Sequence, residues 1–148
     1  MSALAQPLDL LSLADALRPA LLKVSRRLRQ EALKAGVSVQ DALLLGHIHR
    51  NPGIGVSGLA EAEQTSRPTM SSHVKRLEAA GWISRRDDEA DGRRCGLAIT
   101  AAGQRQMEAI RRHRNDWLAA RLGRLAPAER ERLAAAAEPL LKLMSLEP

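Results

Sequence analysis

The sequence predicts a single, mainly α-helical domain that carries one small β-hairpin, and three observations lead there. Apolar residues recur every three or four positions over most of the chain. Residues 82–86 and 95–99 break that rhythm and read as two short strands around a polar loop, Asp87 to Arg94. Glycine or proline marks most changes of pattern, and no internal repeat, low-complexity linker or second domain interrupts the 148 residues.

Leu10, Ala14, Leu17, Leu21, Val24 and Leu28 form one apolar stripe and predict a long first helix. Pro19 has no amide for the Asp15 carbonyl, so a kink or restart is expected there, with the helix ending near Gly36. Its other side, with Lys23, Arg26, Arg27, Arg29 and Lys34, reads as an exposed basic surface. Ser38 and Asp41 resemble a capping pair for a buried second helix built on Leu43, Leu44, Leu45 and Ile48, which Asn51, Pro52 and Gly53 end.

Ser57 reads as the cap of a short third helix that runs to about Glu63. Ser66 caps a fourth, with Pro68 tolerated in the first turn, and Met70, Val74 and Leu77 give it one apolar face. Gly81 ends that helix, and the two strands follow. Thr100 caps a long fifth helix carrying Met107, Ile110, Trp117, Leu118 and Leu122. Pro127 opens a sixth, with Leu133, Ala137, Leu140 and Met144, which Pro139 is expected to bend.

Lys and Arg number 23 against 17 Asp and Glu, a formal charge of +6, and Arg heavily outnumbers Lys. Planar guanidinium groups suit bidentate bonds to phosphate or guanine, so the bias favours a nucleic-acid partner; on composition alone a solvated basic surface is the alternative. Trp82 and Trp117 are the only aromatics, so the core must be aliphatic. The lone Cys95 cannot form an internal disulfide and fits a reducing compartment. Asp9 and Asp15 interrupt the leucine-rich start and no basic cluster precedes it, which argues against a signal peptide. No apolar run approaches the roughly 18–20 residues of a membrane span, so the expected location is the cytoplasm.

Two helices joined by a tight turn and followed directly by a hairpin make a helix-turn-helix with a wing. The fourth helix presents Ser66, Arg67, Thr69, Ser71, Ser72 and Lys75 on its polar face, mostly short side chains that allow close approach to base edges. Its N-terminal end, with Pro68 inside it, is expected to offer free amides to phosphate. Arg67 is placed to pair with a guanine, and Lys75 and Arg76 to hold phosphates. In the hairpin loop, Arg93 and Arg94 follow Asp91 and Gly92, where an extended arginine can enter a minor groove. Asp91 is expected to brace the wing by accepting bonds from Arg85, Arg86 or the loop backbone.

At these residues the sequence resembles the MarR family of bacterial regulators. Ser66-Arg67-Pro68-Thr69-Met70-Ser71, Arg76-Leu77-Glu78-Ala79-Ala80-Gly81, Asp91-Gly92-Arg93-Arg94 and Ile99-Thr100-Ala101-Ala102-Gly103 occur in family order and spacing. Glu63 and Gln64 depart from the pattern, standing where many members have an apolar residue and glycine. The resemblance implies a triangular dimer, with dimerisation helices at 8–35 and 101–146 around a winged helix-turn-helix module at 38–99. Within that module the recognition helix spans 66–80 and the wing 82–99. It further implies a repressor of a pseudo-palindromic operator in double-stranded DNA, released by a small and often aromatic effector.

An effector seat, if one exists, is expected where the dimer helices meet the module, at Leu17, Leu44, His47, Met107 and Arg111. His47 and His49 lie two apart on a helix and point to different sides, which argues against a metal site. Cys95 reads as a small strand residue before a redox switch. No cofactor is expected, and no nucleophile, phosphate-loop or metal arrangement suggests an enzyme. The competing interpretation is an oligomeric interaction protein whose winged module binds protein or RNA.

Overall fold

A computed structural model describes residues 8–87 and 95–146. The chain divides into two compact units, Met1–Arg114 and Asn115–Pro148. The first opens with α1 (Leu10–Gln30), whose N-cap Asp9 accepts from the amides of Leu11 and Ser12 at 3.3 and 3.2 Å. Hydrogen bonds from the Ser12 hydroxyl and amide, and then from the Leu11 amide, hold the Asp9 carboxyl below the usual carboxylate range. The helix runs through Pro19 without a restart, and its end tightens into a 3₁₀ segment, Glu31–Ala35, which Gly36 closes at φ 74°.

Along the predicted stripe of α1, Leu10, Leu17, Leu21 and Val24 remain exposed, and no residue of the helix is buried. Glu31 just beyond it is fully buried, with Arg27 at 2.6 Å and Lys34 at 2.8 Å from its carboxylate. Two of the cations assigned to the basic outer surface therefore share one buried carboxylate, which the linear charge pattern did not show.

In α2 (Val39–Arg50) the Ser38 hydroxyl accepts the Asp41 amide at 3.0 Å, as the capping pattern predicts. Leu44, Leu45 and Ile48 are fully buried, but Leu43, expected among them, falls on the outer side of the helix. The third helix, α3 (Val56–Ala62), has its N-cap at Gly55 and not at Ser57, because the Gly55 carbonyl already accepts the Leu59 amide at 3.0 Å. Next comes α4 (Arg67–Ala79), whose Met70, Val74 and Leu77 lie fully buried against the core. Each such side chain contributes about 1.5–3 kcal/mol by leaving water.

The strands β1 (Ile83–Asp87) and β2 (Cys95–Ile99) pair antiparallel, with Ile83 opposite Ile99 and Arg85 opposite Leu97. Their edge is extended by the segment after α2: the Gly53 amide donates to the Leu97 carbonyl and the Leu97 amide to the Ile54 carbonyl, both at 2.9 Å. Gly96 is required at this junction, since a Cβ there would stand 2.8 Å from the Gly53 Cα and carbonyl oxygen.

Thr100 caps α5 (Ala101–Leu122), its hydroxyl accepting the Gly103 amide at 3.0 Å. Arg114 Nε donates to the Leu28 carbonyl at 3.0 Å and Gln106 donates to the Ala35 carbonyl, so α5 is tied to the end of α1 and the segment after it. Burial, and then repulsion from Arg29, lowers the Arg114 pKa from its ordinary value.

In the second unit, α6 (Pro127–Leu143) starts with Glu129 reaching back to the Ala126 amide at 2.9 Å. The helix continues through Pro139, and no residue in it is buried. In the same unit the Arg121 guanidinium lies 4.1 Å from the centre of the Trp117 ring. Among the described residues, no helix is long and apolar enough to cross a membrane.

Candidate nucleic-acid interface

The turn between α3 and α4 is made by Gln64 at φ 50°, a left-handed conformation that favours glycine. It delivers the chain to Ser66, whose hydroxyl accepts the Thr69 amide at 3.3 Å and donates to Thr69 Oγ1 at 2.8 Å. From this cap α4 runs with two unlike sides. Its apolar side is sealed in the core, while Ser66, Arg67, Pro68, Thr69, Ser72, Lys75 and Arg76 are exposed and Ser71 is half-buried.

The hydroxyls on this face are partly committed. Ser72 Oγ donates to the Pro68 carbonyl at 3.2 Å, so Ser72 keeps only acceptor capacity, whereas Thr69 keeps its own O–H to donate. The N-terminus offers less to an anion than the sequence suggested. Pro68 has no amide and Ser66 takes that of Thr69, leaving the Arg67 amide as the unclaimed donor of the first turn among the described residues. Arg67 and Lys75 have no carboxylate partner among the described residues, so both cations are available to a ligand.

Arg76 is differently placed. Its guanidinium meets the Asp41 carboxylate at two points, one of them Nε to Oδ2 at 3.3 Å, and touches His73 Nδ1 at 2.8 Å. Hydrogen bonding to Asp41 raises the Arg76 pKa further above its ordinary value. Arg85, one of the partners offered for Asp91, has its Nε 2.6 Å from Glu78 Oε1, which ties β1 to the last turn of α4. Arg86 is exposed on β1. Asp91, Arg93 and Arg94, the wing-tip residues, lie outside the described residues.

The five residues proposed for an effector fall in unlike surroundings. Leu44 is sealed in the core and Met107 packs against it. Half-buried His47 is 3.2 Å from Glu63, a pairing between α2 and the end of α3 that the sequence pattern did not reveal. Leu17 lies on the uncovered side of α1, and exposed Arg111 is 3.4 Å from Glu108.

Two helices crossing at the Gln64 turn, a capped polar helix face and a hairpin hydrogen-bonded to the segment after α2 define a winged helix-turn-helix of the DNA-binding class. Residues 35–94 match the sequence profile of the MarR family. An HTH-type transcriptional regulator of Mycobacterium bovis is 30% identical over 136 residues, which span 92% of this chain and 95% of that protein. A crystal structure of a transcriptional regulator from Pseudomonas aeruginosa is 32% identical, with a TM-score of 0.77 over 93% of this chain and 96% of its own. A variant of MepR from S. aureus, bound to an oligodeoxyribonucleotide, shares the fold at 22% identity, with a TM-score of 0.66 over 89% of this chain and 97% of its own. The chain belongs to the MarR family of DNA-binding transcriptional regulators, which are not enzymes.

Proposed function

We propose that the protein is a cytoplasmic repressor that occupies a pseudo-palindromic operator as a homodimer and competes there with the polymerase. The two-sidedness of α4 carries this reading: three fully buried apolar residues fix the helix on the core, and the opposite face carries Arg67, Thr69, Ser72 and Lys75 into solvent. In the major groove, Arg67 reads a guanine edge, Thr69 donates, Ser72 accepts, and Lys75 holds a phosphate. Arg93 enters the neighbouring minor groove, with Arg94 beside it and Asp91 bracing the loop. The S. aureus protein of the same fold is bound to an oligodeoxyribonucleotide, which supports DNA as the partner.

The homodimer reading rests on apolar surface left uncovered within the chain. Leu10, Leu17 and Leu21 of α1 are exposed, and so, in the second unit, are Leu133, Leu141 and Leu143 of α6; on each helix this is apolar surface of the kind that a second copy covers. A small molecule that loosens the operator complex, seated near His47 and Met107, completes the regulatory cycle that the resemblance implies.

The test is selection of duplexes from genomic fragments, followed by binding at several salt concentrations. A pseudo-palindromic footprint whose affinity falls steeply with salt is expected, at a slope of about 0.9 per phosphate contact. Salt-insensitive binding, or binding without sequence preference, would contradict the proposal and favour a protein or RNA partner.

A further inference from the structure

Arg76 stands on the DNA side of α4 by sequence and its side chain stays half exposed, yet its guanidinium is engaged within the protein. Asp41, its partner, lies 35 residues earlier in the first turn of α2, and the Asp41 side chain is only 10% exposed. The Ser38 hydroxyl accepts the Asp41 amide at 3.0 Å, which fixes the backbone from which the carboxylate meets Arg76. Two guanidinium nitrogens meet two carboxylate oxygens, a fork that restrains rotation of α4 as well as its distance from α2. His73, one turn earlier on α4, takes up another side of the same guanidinium at 2.8 Å. Both ends of α4 are thereby anchored: Ser66 caps its start, and in its last turn Arg76 reaches Asp41 of α2 and Glu78 reaches Arg85 of β1.

We propose that Arg76 is a positioning residue for DNA recognition and not a phosphate ligand: with Asp41 it sets the angle at which α4 presents Arg67, Thr69 and Lys75 to the groove. The proposal rests on the assignment of α4 as the DNA-reading helix. It assigns Asp41, an acidic residue with no direct use at a DNA surface, a part in operator affinity. The two roles for Arg76 predict opposite signs. If Arg76 held phosphate, neutralising Asp41 would release the guanidinium and remove a negative charge near DNA, and binding would tighten. If Arg76 positions α4, neutralising Asp41 loosens the helix and binding weakens.

The experiment measures affinity and its salt slope for a duplex selected by the wild type from a randomised library, using full-length wild type, Asp41→Asn, Arg76→Lys and Arg76→Ala. Asp41→Asn retains the Ser38 cap and the side-chain shape; Arg76→Lys retains the charge and removes the fork. These two are expected to weaken binding by about tenfold, the order of one charge-assisted contact, with the salt slope unchanged. Both should also bind near-cognate duplexes with less discrimination, an effect that simple loss of stability does not produce. Tighter or unchanged binding by Asp41→Asn would overturn the proposal, as would a salt slope lowered by about 0.9 in Arg76→Ala. A wild type that selects no duplex would overturn the assignment of α4 itself, and this proposal with it.

Discussion

Replacing Gly103 by alanine should destabilise the protein by about 2 kcal/mol, the net of two opposed effects. A Cβ at this position would stand 2.0 Å from the Trp82 carbonyl oxygen and 2.9 Å from Ile99 Cγ2. Ordinary contact begins near 3.4 Å, so about 1.4 Å must open between the start of α5 and the strand entry. The obstacle is backbone held at both ends: the Trp82 oxygen accepts the Thr100 amide at 3.0 Å, and the Trp82 amide donates to the Leu77 carbonyl at 3.1 Å. Overpacking of this kind costs about 1–3 kcal/mol, and a strained or lost hydrogen bond adds about 1 kcal/mol. Alanine's helical preference returns at most about 1 kcal/mol. For a chain of this size, 2 kcal/mol lowers the melting temperature by roughly 6 °C. Thermal unfolding at one fixed protein concentration reads this directly, because the proposed dimer would make the midpoint depend on concentration. Gly123→Ala serves as the control, since its nearest contact is 3.5 Å, and it should change stability by less than about 0.5 kcal/mol. A Gly103→Ala protein that melts with the wild type or above it would refute this account of how the wing and α5 are joined.

Further expectations follow from the same geometry. Gln64→Gly removes a left-handed non-glycine residue and should stabilise the fold by about 0.5–1 kcal/mol in denaturant titration, and lower stability would show that the turn is not under strain. Lys75→Ala should weaken binding to all duplexes alike and reduce the salt slope by about 1; an unchanged slope would place Lys75 away from phosphate. Arg93→Ala should cost about 1–3 kcal/mol of operator affinity, and equal affinity would remove the wing from the interface. Sedimentation at micromolar concentration should show a dimer, and a monomer would leave the apolar faces of α1 and α6 without their assigned cover.

What the sequence disclosed is what local chemistry decides. Ser38 and Ser66 cap because a hydroxyl three residues before an amide can always be tried against it, and Met70, Val74 and Leu77 face the core because their spacing leaves them one side. Contacts between elements were not legible. Nothing in the order of residues brings Asp41 to Arg76 across 35 positions, Glu78 to Arg85, or the Gly53–Ile54 segment to the edge of β2. Burial of Glu31 was concealed for a related reason: a carboxylate in a basic helix reads as a surface charge until its two flanking cations close over it. Of the DNA-facing candidates on α4, Ser66, Arg67, Thr69, Ser72 and Lys75 are exposed, while Arg76 has a partner inside the protein; Arg85, named to brace the wing, pairs with Glu78.

The most direct test of α4 as the reading element is the base preference of Arg67→Ala, scored against every single-base-pair variant of the selected duplex. The account predicts a loss of about 1–3 kcal/mol with discrimination relaxed at one base pair in each half-site and unfolding unchanged. Wild-type affinity with the full preference retained would contradict it.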